Sequence, residues 1–131
     1  MDIFTTFATD TEAEAAGRWF PIGTGAKLKV ARSNTPAYRK ALRTKIAANN
    51  IDLADKSDAT EALVETIVAE VLAETVLVGW EGLTFKGEPL EFNKANAAKI
   101  LAFKDFRAKV QSFSDSAEGF RFKEEQEQGN V

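Results

Sequence analysis

The sequence predicts an α+β fold, a mostly helical single domain with an N-terminal β-hairpin. Two short segments with strand-like patterns flank a glycine-rich turn at residues 23–25, which is typical of a hairpin. Farther along the chain, apolar residues recur every three or four positions in several segments, which is typical of amphipathic helices. A chain of 131 residues can bury a core of its own without disulfides or metal ions.

The expected domain spans residues 1–122. Residues 123–131 (KEEQEQGNV) are expected to form a disordered polar tail, because they bury too little apolar surface to order themselves. Residues 1–16 have two interpretations. They form either a loose arm whose aromatic residues Phe4 and Phe7 dock elsewhere, or one short helical turn.

The hairpin is predicted from strands at residues 18–22 and 26–32. In the second strand, Leu28 and Val30 alternate with lysines, so one face is apolar and the other is basic. Because an isolated hairpin is marginally stable in water, this one must pack against the helices.

The first long helix is predicted to begin at Thr35 and Pro36, with Thr35 as the N-cap and Pro36 at the first helical position. It is expected to fade by residues 49–50. Its apolar residues Tyr38, Leu42 and Ile46 recur every four positions, while basic residues cover the rest of its surface.

The second long helix is predicted to start with a capping box at residues 58–61, with Asp58 as the N-cap. It is expected to run for about twenty residues to Gly79, with Leu63, Ile67 and Val71 buried. An alternative stays open at its end. The β-branched residues of segment 75–78 also favour an extended strand before Trp80.

Residues 79–93 (GWEGLTFKGEPLEFN) are predicted to form an ordered connector between two helices. Gly79 is expected to end the preceding helix in a left-handed conformation, and Gly82 and Gly87 are further turn points. Pro89 removes a backbone donor and fixes φ. The large apolar side chains are expected to anchor the connector. They are Trp80, Leu83, Phe85, Leu90 and Phe92.

Asn93 is predicted to be the N-cap of a C-terminal helical segment that starts at Lys94 and runs to about Ser114. The spacing of its large apolar residues fits no single helical face. A break near residues 104–105 is therefore expected, with two short helices instead of one long helix.

Charge is distributed unevenly along the chain, although the net charge is only −3. Residues 15–51 carry eight basic residues and no acid, whereas residues 52–91 carry ten acids and two lysines. This reversal has two interpretations: a basic face for a polyanion, or segments that attract each other or a neighbouring copy.

Catalysis is not expected, and no cofactor or metal ion is implied. The chain has neither cysteine nor histidine, which removes thiolate nucleophiles, the usual zinc ligands and the side chain that titrates near neutral pH. Glu81, Glu88 and Glu91 form the best available acidic group, but a solvated acidic loop explains them as well. No specific nucleic-acid binding is expected either, because the domain is acidic and lacks a recognised nucleic-acid motif.

No membrane association is expected. The N-terminus lacks the basic start and apolar centre of a signal peptide, and no apolar run approaches the roughly 18 residues of a membrane span.

The connector resembles part of the tail assembly chaperones of long-tailed, siphovirus-like bacteriophages. In that family a hydrophobic helix leads into a Trp-x-Gly turn, then a Gly-x-Pro-x-x-Phe step ending in Ser, Thr or Asn, then a helix rich in Asn, Ala and Leu. The family often has an acidic residue before the second glycine, where this chain has Lys86. The matching residues span about half of the chain when the preceding helix is counted. They are Trp80, Gly82, Gly87, Pro89, Phe92 and Asn93.

The resemblance implies a non-enzymatic protein of the host bacterial cytoplasm. Such chaperones bind the phage tape measure protein and keep it soluble while the tail tube assembles. A frameshifted extension, which would begin after Phe122 here, often contacts the tail tube protein. The alternative function is a structural tail or tail-completion protein that stays in the virion.

Aromatic residues near the chain surface are the usual anchors of protein interfaces. The candidate partner-binding residues lie in the N-terminal arm, the hairpin and the basic helix. They are Phe4, Phe7, Trp19, Phe20, Tyr38, Arg39 and Arg43.

Overall fold

The computed structural model describes residues 1–123. It confirms the predicted α+β class and the N-terminal hairpin. The predicted tail at 123–131 lies outside the described residues from position 124 onward. The elements in chain order are α1 (Ile3–Phe7), α2 (Thr11–Ala16), β1 (Arg18–Gly23), β2 (Ala26–Val30), α3 (Pro36–Ala48), α4 (Asp58–Thr75), β3 (Leu77–Glu81), β4 (Thr84–Phe85), β5 (Glu88–Pro89), α5 (Lys94–Leu101), α6 (Lys104–Asp115) and a 3₁₀ turn (Glu118–Phe120).

The hairpin forms two strands of a three-stranded antiparallel sheet with the order β1-β2-β3. Strand β3 pairs with β2 so that Trp80 lies opposite Leu28 and Gly79 opposite Lys29. Of the two alternatives for the end of the second long helix, the extended one is therefore correct. The helix stops at Thr75 because the following β-branched segment finds hydrogen-bond partners along the edge of β2.

The prediction that Gly79 ends a helix in a left-handed conformation is wrong, because this residue lies inside β3. Its φ angle is not among the positive ones of the described glycines. A Cβ atom at this position would lie 3.5 Å from Lys29 Cβ and 3.8 Å from the Trp19 ring, which are ordinary van der Waals distances. Gly79 is therefore a strand residue that does not end a helix.

Three helix N-caps were predicted, and two of them, Thr35 and Asn93, are confirmed. The Thr35 side chain accepts a hydrogen bond from the Tyr38 backbone N–H at 3.3 Å, and Pro36 is the first helical residue. The prediction of Asp58 as the N-cap of α4 is wrong by one position. Ser57 is the cap, since its hydroxyl accepts from the Thr60 N–H at 3.3 Å.

The core lies between α4, the inner face of the sheet and helices α5 and α6. Helix α4 is central because it contacts α3, α5 and β3. Its sequence is apolar on more than one face, as expected for a helix that is covered on several sides. The buried residues of this core are Leu28, Val30, Ala69, Leu72, Ala73, Val76, Leu77, Trp80, Ala97, Ile100, Leu101 and Val110.

The expected break in the C-terminal helical segment is confirmed. Helix α5 ends at Leu101 and α6 begins at Lys104. The Arg107 guanidinium donates a hydrogen bond to the Leu101 carbonyl oxygen at 3.0 Å and so satisfies one free acceptor at the end of α5.

The predicted burial of α4 is correct from its third turn onward. Ile67 is 2% exposed and Val71 is fully buried, whereas Leu63 is 38% exposed. The prediction for Leu63 is therefore wrong. None of residues 58–66 is buried, because the neighbouring elements do not cover the first turns of α4.

Replacing Ile67 with Ala is expected to lower the free energy of unfolding by about 2–5 kcal/mol, because it removes packed methylenes and leaves a cavity. Leu63→Ala is the matched control on the same helix, with an expected loss below about 1 kcal/mol. Urea denaturation followed by circular dichroism measures both values. Equal midpoints for the two variants would contradict the helix orientation described above.

Candidate partner-binding surfaces

The Trp80 motif has a structural role in the described fold. The indole N–H of Trp80 donates to the Leu90 carbonyl oxygen at 2.8 Å. The Trp80 ring meets Phe92 edge to face with centroids 4.8 Å apart. These contacts join β3 to the segment that leads into α5.

The other motif residues shape the chain between these contacts. Gly82 and Gly87 have φ angles of 78° and 86°, so both predicted turn points are confirmed. Pro89 lies in β5 opposite Thr84 of β4. The Asn93 side chain accepts from the backbone N–H of Asn96 at 2.7 Å, which confirms the predicted N-cap of α5.

Residues 1–16 form two short helices that are held against the C-terminal segment. Thr9 forms an antiparallel bridge with Arg121, and the Asp10 N–H donates to the Phe120 carbonyl oxygen at 2.7 Å. The Arg121 guanidinium donates to the Phe7 carbonyl oxygen at 2.8 Å. Neither interpretation of this segment was complete, since the arm is helical and also docked.

The Arg18 side chain of β1 makes hydrogen bonds to both the N-terminal and the C-terminal segment. Its guanidinium donates to the Gly119 and Arg121 carbonyl oxygens at 3.2 and 2.9 Å and lies 3.3 Å from the Asp10 carboxylate. The side chain is largely buried. A cation that satisfies several acceptors in this way gives the terminal segments a defined position.

An exposed group of apolar side chains results from this docking. The Phe4 and Phe122 rings stack with centroids 5.5 Å apart. Phe4, Phe7 and Phe122 are all more than half exposed, and Met1 and Ile3 are exposed beside them in sequence. We call these five exposed residues of the two terminal segments the terminal aromatic cluster. Phe7 lines a second pocket, which shares Arg121 with the pocket of Phe4 and Phe122. Sequence reasoning named Phe4 and Phe7 but missed Phe122 as the stacking partner of Phe4, since no local pattern indicates contacts between residues more than 100 positions apart.

The two aromatic candidates of the hairpin point to opposite faces of the sheet. Phe20 is half-buried and stacks on Phe113 with centroids 4.6 Å apart. Trp19 lies on the outer face, where the Lys27 ammonium lies 4.6 Å from the ring centroid. The structure therefore does not bring Trp19 and Phe20 into one groove.

The candidates on α3 also divide between two environments. Tyr38 is half-buried, and this burial, followed by the negative charge of Asp115, raises the pKa of its hydroxyl. Arg39 and Arg43 are exposed. The seven candidate residues thus occupy at least three separate surfaces.

Two lysines of the basic segment 15–51 form ion pairs with acids of segment 52–91. The Lys45 ammonium of α3 lies 3.0 Å from the Glu74 carboxylate and 3.1 Å from that of Glu70, both on α4. Hydrogen bonds to Glu74 and then Glu70 raise the pKa of Lys45. Lys27 and Glu81 form a longer ion pair of 3.8 Å between β2 and β3. Surface ion pairs of this kind contribute little to the free energy of unfolding.

Within residues 1–123, no three acidic side chains lie close enough together to hold a metal ion. Among the same residues, every helix is too short or too polar to cross a membrane.

Comparison with protein families gives a match over most of the chain. The family described as YdaY prophage protein matches residues 33–130, which includes the Trp80 motif and Phe122 but begins after Phe4, Phe7 and Trp19. Neither a curated protein nor a solved structure matches the chain. Since the match covers about three quarters of the sequence, this phage-derived chain belongs to the YdaY prophage protein family.

Proposed function

We propose that this protein is a non-enzymatic phage tail assembly chaperone that binds the tape measure protein and keeps it soluble in the host bacterial cytoplasm. Membership in a prophage family supports the phage context. The Trp-x-Gly and Gly-x-Pro-x-x-Phe steps of the connector support the finer assignment by resemblance. The proposal includes no cofactor, no membrane contact and no specific nucleic acid.

The terminal aromatic cluster is the observation that carries this proposal. Five large apolar side chains stay exposed on segments that hydrogen bonds and an ion pair hold in place. Rigid aromatic side chains make effective interface anchors because they bury a large area at little cost in conformational entropy. An amphipathic helix presents apolar residues at i, i+3, i+4 and i+7, and such a stripe fits an aromatic surface of this kind.

Charged groups beside the cluster fit the edges of such a partner. A shallow pocket next to Phe4 and Phe122 includes both Glu118 and Arg121, whose side chains form an ion pair of 3.6 Å with each other. A partner helix that buries its apolar stripe here would meet one charge of each sign at the rim. Rim charges contribute more to orientation and association rate than to affinity.

The proposal is tested by co-expression of the protein with the tape measure protein of the same prophage. The wild type is expected to keep the tape measure protein in the soluble fraction, and Phe4→Ser/Phe7→Ser is expected to lose most of this effect. The measured quantity is the soluble fraction of the tape measure protein on a gel. Phe103→Ser is the control, because it removes a phenylalanine that is also more than half exposed but lies outside the cluster.

Two results would count against the proposal. A wild-type protein that does not change the solubility of the tape measure protein would contradict the function. A double variant that folds and acts like the wild type would contradict the surface. Detection of the protein in purified virions by mass spectrometry would favour the alternative, a structural or tail-completion protein.

A further inference from the structure

A second surface lies at the uncovered start of α4. The segment that precedes this helix lies beside its first two turns. Together they line an open cleft of about 470 Å³. Leu53, Ala62 and Val64 supply the apolar lining, and Leu53 is more than half exposed. We call this the α4 cleft. It shares no residue with the terminal aromatic cluster.

Local hydrogen bonds order the segment beside the cleft. The Asp55 carboxylate accepts from the Ser57 N–H at 2.9 Å and from the Thr60 hydroxyl at 2.8 Å. The Lys56 ammonium donates to the Leu53 carbonyl oxygen at 3.1 Å. A site whose backbone is already fixed loses less entropy when a partner binds.

The rim of the α4 cleft is strongly acidic. Asp58, Glu61 and Glu65 follow at spacings of three and four residues along one face of α4, and Asp55 faces them from the preceding segment. Hydrogen bonds from Ser57 and Thr60 lower the pKa of Asp55, so this carboxylate stays ionised at neutral pH.

The acids outnumber the cations at the α4 cleft in the part of the chain that the structure describes, where Lys56 is the basic residue of the lining. Arg107 lies 3.4 Å from the Glu65 carboxylate. Within residues 1–123, Asp55, Asp58 and Glu61 have no cation within 4 Å. A partly apolar cleft whose rim carries a net negative charge is complementary to an apolar stripe flanked by positive charges.

We propose that the α4 cleft binds a basic amphipathic helix of a partner protein. The partner places apolar side chains against Leu53 and Val64, while its lysines or arginines, one helical turn apart, meet the acids along α4. The acids recur at positions i, i+3 and i+7 along one face of α4. Basic residues at the same spacing on an adjacent helix would lie beside them, so the spacing favours a helical partner over an extended one. This inference is independent of the proposed chaperone function.

The probe is a labelled 18-residue peptide with leucines at i, i+3, i+4 and i+7 and lysines at the flanking positions. Its binding to the full chain is measured by fluorescence anisotropy at about 50 and 300 mM salt, because screening weakens charge pairs across this range. The comparison peptide has the same pattern with glutamates in place of lysines. We expect binding of the lysine peptide that weakens with salt and no binding of the glutamate peptide.

Two pairs of variants locate the site. Glu61→Lys places a like charge at the rim and is expected to weaken binding by more than about tenfold. Glu88→Lys makes the same charge change on exposed strand β5 and is expected to bind as the wild type does. Leu53→Ser is expected to weaken binding, whereas Phe103→Ser is not. Circular dichroism checks that each variant folds.

Equal binding by Glu61→Lys and Glu88→Lys would overturn the proposal, because attraction would then follow net charge alone. Equal binding of the two peptides would also overturn it. Self-association of the unliganded chain that disappears in both Glu61→Lys and Leu53→Ser would assign the cleft to a second copy and overturn the choice of partner.

Discussion

Replacement of Trp80 with Ala is expected to lower the free energy of unfolding by about 3–5 kcal/mol. Trp80 is 7% exposed and belongs to the core between the sheet and α5. The substitution removes the largest side chain of that core and its edge-to-face contact with Phe92. It also leaves the Leu90 carbonyl oxygen without the indole donor.

Trp19→Ala is the matched control, because Trp19 is the other tryptophan of the chain and is 41% exposed. Its expected effect is within about 1 kcal/mol. Guanidinium denaturation is followed by circular dichroism, since each variant loses part of the tryptophan fluorescence. A Trp80→Ala midpoint as close to the wild type as that of Trp19→Ala would mean that the connector does not contribute to the core.

Replacement of Phe120 with Ala is expected to cost a similar amount, about 3–5 kcal/mol. Phe120 is fully buried in a 3₁₀ turn, where its ring packs against Phe20 at 5.9 Å and under the Arg32 guanidinium at 5.6 Å. Its backbone carbonyl accepts the hydrogen bond from Asp10. Loss of the ring is therefore expected to loosen the N-terminal helices as well as the C-terminal segment.

Phe122→Ala provides the comparison two residues away, where the side chain is 52% exposed and the expected loss is below about 1 kcal/mol. Chemical denaturation measures global stability, and amide hydrogen exchange at residues 3–16 measures the local effect. Faster exchange is expected in Phe120→Ala at these residues. If both variants unfolded at the same denaturant concentration, the described anchoring of the termini would be wrong.

Features that depend on neighbouring residues were predictable from the sequence. Thr35 and Asn93 cap their helices because each side chain reaches a backbone N–H three residues later. The hairpin followed from strand patterns around a glycine-rich turn, although β1 extends through Gly23 and the turn contains two residues instead of three. The error at Asp58 is of the same local kind, since Ser57 is an equally suitable cap one position earlier.

The candidate site was predictable in part. Aromatic residues in a polar N-terminal segment indicated Phe4 and Phe7 as anchors, and both are exposed. The same reasoning grouped them with Phe20 and Tyr38, which the structure places against other parts of the protein. An aromatic residue in a strand faces the core or the solvent according to register, and the neighbouring strands decide that register.

The sequence by itself determined the features that depend on backbone preferences or on hydrogen bonds within a few residues. They are the fold class, the hairpin, the caps of α3 and α5, the turn glycines Gly82 and Gly87 and the break before α6. Only the tertiary structure decided that segment 77–81 is a strand, because its hydrogen-bond partners belong to β2, about fifty residues earlier. Tertiary packing also decided that Leu63 stays exposed and that Phe4 meets Phe122. Burial and long-range contacts depend on which surfaces the folded chain brings together, and helical periodicity specifies a face without specifying what covers it.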